Sequence, residues 1–219
     1  MIPTPESATR LPGEADTGSG VLNALRVSTA ERHELLHEIM PLSVESVALR
    51  DYLAHLAILR AWLEPIETWF KGFCDGPQSA TLAARMNRLA LIDADLSHGS
   101  IDPCDQIGAL VSTAADHNWA GAQSAAYRWG VCYVIEGSQL GGAVLYARLK
   151  NRLAPHPLGF LDAGREALGP RWQAFVRTMS AEVQTPAMID EACRGAADAF
   201  DRLIDLAQAP TRAGCANVV

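Results

Sequence analysis

The chain has few cysteines, and they form no recognisable motif. The five cysteines lie at positions 74, 104, 132, 193 and 215, and none of them belongs to a Cys-X-X-Cys pair. This spacing argues against the usual structural zinc sites and against thioredoxin-type redox motifs. Scattered cysteines in an odd number are typical of reduced thiols, so we expect a cytoplasmic protein.

Long apolar runs and basic stripes are also missing. No apolar stretch is long enough to cross a bilayer, and no basic segment followed by an apolar core opens the chain, so we expect neither membrane association nor a secretory signal. The net charge of −7 argues against nucleic acid as the main partner. With 219 residues, 49% of them hydrophobic and 20% charged, the chain is large enough for one soluble globular domain.

Strand-type alternation is absent over any useful length, and apolar residues recur every three or four positions instead. The pattern predicts an all-α, single-domain bundle of about seven helices, with residues 1–20 as a flexible arm, 21–208 as the helical domain and 209–219 as a tail. Pro41 ends the first helix, and Ser43 is the predicted N-cap of the second. The predicted helices cover about residues 22–40, 44–70, 79–96, a short stretch after 102, 121–152, 163–183 and 186–209.

The most unusual segment is Gly137-Ser138-Gln139-Leu140-Gly141-Gly142, inside the predicted helix 121–152. A glycine in a helix interior costs about 1 kcal/mol relative to alanine, so three within six residues need a reason. A bare backbone allows a flat, bulky ligand to lie against the helix, or allows the helix to bend. The alternative is a close helix–helix crossing, where small residues are also common.

Two histidines follow the apolar face of the first helix. His33 lies on that face and His37 is one turn further on. A lone histidine there is usually a core residue with a satisfied hydrogen bond, and a pair at this spacing needs a further ligand to hold a metal. Cys132, close to the glycines, is interpreted as an ordinary buried thiol and not as a thiolate ligand.

In combination these segments resemble the heme oxygenase family, in its bacterial, biliverdin-producing form. Residues 25–33, Leu-Arg-Val-Ser-Thr-Ala-Glu-Arg-His, are similar to the family's N-terminal helix, and residues 133–145 are similar to its distal helix. Residues 93–96, Phe160, 169–175 and 196–200 also fit the family, and the resemblance covers about residues 21 to 206. It implies the all-α heme oxygenase fold.

The resemblance also implies roles for the two central motifs. His33 would be the proximal ligand to heme iron, and Gly137, Gly141 and Gly142 would form the distal backbone over the iron-bound oxygen. Ser138 stands where the best-known animal enzymes have an aspartate that anchors water. A serine hydroxyl can hold water but carries no charge.

Further heme-binding residues are implied in the same way. Arg26 would pair with one heme propionate, since a guanidinium matches a carboxylate through two parallel hydrogen bonds. Arg171 and Arg177 are candidates for the second propionate, and Tyr133 for a hydrogen bond near a propionate. His37 occupies a position where the family often has a glutamate beside the proximal imidazole, and a carboxylate there makes the ligand more electron-rich.

The activity implied is oxidative cleavage of heme at a meso carbon to biliverdin, carbon monoxide and ferrous iron. Heme would serve as both substrate and oxygen-activating group. No flavin or nicotinamide fingerprint is present, so electrons would come from a ferredoxin or a flavin reductase. A bilin-binding photoreceptor would be a downstream partner.

Three alternatives stay open at this stage. The first is a catalytically weak or inactive heme carrier or sensor on the same fold. The second is a helical interaction protein whose glycines serve packing, and the third is another enzyme on the same helical scaffold.

Overall fold

The computed structural model describes residues 17–79, 87–102, 105 and 119–209. These ranges contain α-helices and short 3₁₀ turns but no strand, which confirms the predicted all-α fold. No helix in the described ranges has the length and apolar character needed to cross a membrane. The helices are α1 (Thr17–Ile39), α2 (Leu49–Phe70), α3 (Arg88–Leu96), α4 (Ala125–Leu149), α5 (Gly159–Asp162), α6 (Leu168–Glu182) and α7 (Pro186–Gln208).

Several predicted helix boundaries were wrong. Ser43 is not an N-cap, because it lies in a 3₁₀ turn, Pro41–Ser43, and α2 begins only at Leu49. The helix α4 begins at Ala125, where the Ser124 side chain accepts a hydrogen bond from the Tyr127 amide. The helix α6 begins at 168 and not at 163, because Gly164 has a φ of 74°, which a right-handed helix cannot contain.

Some predictions concern residues outside the described ranges. The short helix expected after Asp102 lies there, as do most of the arm and the tail, Cys104 and Cys215. The predicted helix 79–96 is described from Arg88 onward as α3, which the Asn87 side chain caps by accepting a hydrogen bond from the Ala90 amide. Cys132 is buried, as expected of an ordinary core thiol.

The last helix, α7, is the common support of the bundle and packs against α1, α2 and α4. Its crossing with α4 is very close because glycine lies on both sides. A Cβ atom added to Gly130 would lie 1.8 Å from the backbone oxygen of Ala192, and one added to Gly195 would lie 2.1 Å from that of Tyr127. The two helix backbones are therefore in direct contact, and only glycine fits at these two positions.

Polar contacts set the orientation of the other helices on α7. Trp62 on α2 donates a hydrogen bond from Nε1 to the Ala199 oxygen at 2.9 Å. Arg32 on α1 pairs with Asp201 at 2.7 Å, at an exposed position. Because α1, α2 and α4 are each attached to α7, their facing surfaces are held at defined positions.

The short helix α5 is attached to the bundle by a buried carboxylate. Asp95, at the end of α3, accepts hydrogen bonds from the Tyr52 hydroxyl at 2.6 Å and from the backbone amides of Gly159 and Phe160 at 3.0 and 2.9 Å. Two segments that carried the family resemblance, at Asp95 and Phe160, are thus in direct contact. This contact places Phe160 and Leu161 beside α4.

Candidate functional site

A cavity of about 660 Å³ lies between α1 and α4, with further wall residues from α2, α5, α6 and α7. This volume is within the range of pockets that hold drug-sized ligands and cofactors. It collects residues that the sequence analysis selected from distant segments. The predicted residues that line it are Arg26, His33, His37, Tyr133, Gly137, Ser138, Gly141, Gly142 and Arg171.

The α1 wall presents both predicted histidines. His33 is exposed and lines the cavity, and the edge of the Phe200 ring packs against it with ring centroids 6.3 Å apart. His37 lies one turn further along the same wall, and its backbone oxygen accepts a hydrogen bond from the Ser43 hydroxyl. The contact with Phe200 limits the orientations of the His33 ring.

The α1 wall also carries Glu34, which together with the two histidines makes three residues able to ligate a metal. Within the described part of the chain, no three His, Cys, Asp or Glu side chains are grouped so that they could hold a metal ion. A metal at His33 would therefore need most of its ligands from the bound molecule.

The glycine segment forms the opposite wall, on α4. In the described ranges no atom would come within 4 Å of a Cβ added to Gly141, and the nearest atoms for Gly137 and Gly142 are side-chain carbons at 3.8 and 3.6 Å. Among the described helices no backbone crosses at these glycines, so close helix packing does not explain them, whereas it does explain Gly130. The helix α4 continues through the segment without interruption, and its bare backbone faces the cavity.

Hydroxyl groups on the two walls are already engaged with their own helices. Ser138 donates a hydrogen bond from Oγ to the Ile135 oxygen at 2.8 Å, and Thr29 donates one from Oγ1 to the Leu25 oxygen at 2.7 Å. Both hydroxyls therefore keep acceptor capacity, but each donor proton is used within its helix.

The cavity is rich in positive charge although the chain carries a net charge of −7. Its wall contains Arg26, Arg148, Arg165 and Arg171, against one acidic residue, Glu34. A local excess of guanidinium groups inside an acidic protein favours an anionic ligand.

The four arginines differ in how far they are already neutralised. Arg171 pairs with Glu136 at 2.7 Å, a carboxylate that also binds Arg88 at 2.7 Å, and Arg165 pairs with Asp162 at 2.8 Å. In the described ranges neither Arg26 nor Arg148 forms an ion pair.

Arg177 is not brought to the site. It is exposed on α6 and does not belong to the cavity lining. The structure adds two groups that the sequence did not indicate, Arg148 in the cavity wall and the half-buried carboxylate of Glu136 behind Arg171.

Tyr133 is half-buried in the cavity wall, where its ring lies 5.8 Å from that of Trp172. Burial raises the pKa of its hydroxyl, and the nearby Arg26 guanidinium partly offsets that rise in pKa. Arg26 and Tyr133, selected separately from the sequence, are therefore close enough to interact.

His55 on α2 is a wall residue that the sequence analysis missed. Its exposed fraction is 8%, and its Nδ1 atom is buried without a hydrogen-bond partner. Burial lowers the pKa of His55 to about 4, so the ring is neutral at physiological pH. His55 lies three residues after Tyr52 and four before Leu59, so the helical spacing alone places it within the apolar stripe of α2. That spacing could have indicated its burial from the sequence.

Replacing His55 with leucine should remove part of the acid sensitivity of folding. The folded state disfavours the charged ring, whereas the unfolded chain takes up a proton near pH 6.5. The free energy of unfolding should therefore be unaffected by this group above about pH 7 and should fall by about 3 kcal/mol as the pH drops to 4.

The measurement is urea unfolding at pH 7 and at pH 4, in wild-type protein, His55→Leu and the buried control Leu56→Met. The control should keep the full pH dependence, because it alters packing on the same helix without removing a titratable group. An equal pH dependence in wild type and His55→Leu would contradict the prediction.

Comparison with known proteins identifies the family of the chain. The sequence profile of the heme oxygenase family matches residues 19–209. A protein named heme oxygenase, from Xanthomonas campestris pv. campestris (strain 8004), is 38% identical over 82 residues, which make up 36% of this chain and 48% of that protein. The match thus spans about half the length of that relative, and no solved structure matches the chain significantly. Because the family profile covers most of the sequence, the chain belongs to the heme oxygenase family.

Proposed function

We propose that this protein binds heme in the cavity between α1 and α4 and cleaves it oxidatively at a meso carbon, giving biliverdin, carbon monoxide and ferrous iron. The observation that carries the proposal is the pairing of two walls. One presents the histidine His33, and the other presents bare helix backbone at Gly137, Gly141 and Gly142. A flat ring with a central metal fits between such walls.

His33 is the proposed iron ligand. Since no cluster of three ligating side chains exists in the described ranges, an iron held here must arrive with other ligands, as iron in a porphyrin does. A neutral imidazole is a common axial ligand of heme iron and donates less electron density than a thiolate. His37, one turn away, remains our candidate for tuning the proximal side.

The propionates of heme account for the positive charge of the cavity. We assign one propionate to Arg26, which makes no ion pair in the described structure. We assign the other propionate to Arg148. Arg171 already forms an ion pair with Glu136, and Arg177 lies outside the cavity lining. Arg148 donates one hydrogen bond to the Leu42 oxygen and keeps other N–H groups. Tyr133, beside Arg26, is placed to add a hydrogen bond.

The α4 wall favours this chemistry because its glycine segment carries no acidic or basic side chain. Residues 137–142 carry no ionisable side chain, so no acid or base of this segment stands over the ring. Bound heme supplies the iron that activates oxygen. The chain contributes close backbone contact at the glycines, which positions the ring.

Reaction partners follow from the chemistry. Heme cleavage consumes oxygen and electrons, so we propose an external donor, a ferredoxin or a flavin reductase, and a cytoplasmic location. A bilin-binding photoreceptor is the proposed recipient of the product where biliverdin serves as a chromophore.

Hemin titration followed by reduction tests the proposal. The purified protein should develop a Soret band with one equivalent of hemin, and in air with a reductant that band should decay while a biliverdin band grows. A stable ferrous–oxygen spectrum would instead support a carrier, which the departures at His37 and Ser138 motivate. Absence of hemin binding would reject both functions and favour an interaction protein.

A further inference from the structure

The wall that α2 contributes to the cavity is apolar except at one residue. Leu59 and Trp62 line it together with His55, and the Trp62 N–H is already bonded to the Ala199 oxygen. His55 is more than nine-tenths buried, and Nδ1 has no partner. An apolar side chain of similar size would fill this position without leaving a polar atom unpaired, so the histidine needs another explanation.

The burial pattern indicates which ring nitrogen is available. Nδ1 is sealed from solvent, so the edge of the ring that meets the cavity is the opposite one, which carries Nε2. Buried N–H groups without an acceptor are rarer in proteins than buried acceptors without a donor. The proton of the neutral ring therefore belongs on Nε2, and His55 presents a hydrogen-bond donor to the cavity.

Two hydroxyl groups of the cavity wall are not free to donate to a bound molecule. The Ser138 and Thr29 hydroxyls donate within their own helices. The donor of His55 has no acceptor in the described part of the protein, which leaves an oxygen atom of a molecule held inside the cavity.

We propose that His55 is a positioning residue that donates a hydrogen bond from Nε2 to an oxygen atom held beside bound heme, either an ordered water or a small ligand on the iron. This inference rests on the proposed heme site. It assigns to α2 the hydrogen-bonding role that Ser138, engaged with its own helix, does not fill as a donor.

The apoprotein provides the first test. Imidazole ¹⁵N shifts of His55 report which nitrogen carries the proton, and we expect the Nε2–H form at pH 7. A proton on Nδ1 would overturn the proposal whether or not the protein binds heme, so this readout is independent of the proposed function.

The hemin-loaded protein provides the second test, with His55→Leu, His55→Gln and the packing control Leu56→Met. In the ferrous carbon monoxide complex, loss of the donor should raise the C–O stretching frequency if the oxygen belongs to the iron ligand. If the oxygen belongs to water, the acid–alkaline midpoint of the ferric form should rise by about 0.5 to 1 pH unit. Glutamine, whose amide N–H lies near the position of Nε2, should restore part of either change.

The outcomes separate this inference from the proposed function. If wild-type and His55→Leu proteins bind hemin equally and show the same stretching frequency and the same midpoint, the assigned role of His55 is wrong and the heme site stands. If the wild-type protein takes up no hemin, both proposals fail. Leu56→Met should match the wild type in both readouts. If this control shifts as much as His55→Leu, packing and not a hydrogen bond explains the change.

Discussion

Replacing His33 with alanine should abolish the axial-imidazole signature of the hemin-loaded protein and lower turnover by more than about 100-fold. Loss of a residue that merely supports a metal ligand costs about 10- to 100-fold, so loss of the ligand itself should cost more. Binding should weaken less than turnover, because the arginines and the cavity walls still contact the ring. Electron paramagnetic resonance and absorption of the ferric form measure the signature.

The matched control is His37→Ala, which removes a histidine from the next turn of the same wall. This variant should keep the imidazole signature. Added imidazole should restore the signature in His33→Ala, because the space left beside Phe200 can admit the free base. Retention of the signature in His33→Ala together with its loss in His37→Ala would show that the ligand has been assigned to the wrong residue.

Replacing Gly130 with alanine should lower the free energy of unfolding by at least about 2 kcal/mol. The new Cβ would lie 1.8 Å from the Ala192 oxygen and 2.9 Å from the Ala196 amide nitrogen, both backbone atoms of α7. Neither atom can move aside without shifting the helix, so α4 and α7 would have to separate along their crossing. Urea unfolding monitored by circular dichroism measures the loss.

Gly141→Ala on the same helix is the matched control, with the opposite expected sign. No atom of the described chain would lie within 4 Å of the new Cβ. The apoprotein should therefore gain up to about 1 kcal/mol from the better helix propensity of alanine. A bulky residue at Gly141 should obstruct the distal side of the ring and block oxygen or change which meso carbon is cleaved. Equal destabilisation by Gly130→Ala and Gly141→Ala would contradict the division of roles between these glycines.

This division also explains why α4 combines two kinds of glycine. Gly130 lies where the helix must touch α7, and a side chain there is excluded by packing. Gly137, Gly141 and Gly142 lie where the helix faces the cavity. Packing of the protein interior does not require glycine there, although each glycine lowers the stability of the helix. Such a cost is typical of functional sites, where stability is given up for a geometry that binding needs.

Much of the fold was predictable because its signals are local. Helical periodicity requires only neighbours three or four residues apart, and it identified α1, α2, α4, α6 and α7. Boundaries were less accurate, because they depend on individual turns. Gly164 with its positive φ delays the start of α6 to Leu168, and the 3₁₀ turn Pro41–Ser43 precedes a late start of α2 at Leu49. The apolar pattern marks neither of these starts.

The residues of the site were only partly predictable. Residues carried by a continuous motif, such as His33 and Gly137, line the cavity. Arg171 also lines the cavity, but its ion pair with Glu136 partly neutralises its charge. Arg177 lies outside the lining. His55 lies within the apolar stripe of α2, but the sequence does not show that its Nδ1 atom lacks a hydrogen-bond partner.

The order of residues along the chain was enough to establish an all-α bundle with a histidine on one helix and a glycine segment on another, since both features arise within single helices. Which glycines touch a helix, which arginines remain unpaired and which histidine lacks a partner were decided by tertiary packing. Each of these properties depends on atoms contributed by distant segments, and such contacts exist only once α7 has brought α1, α2 and α4 together.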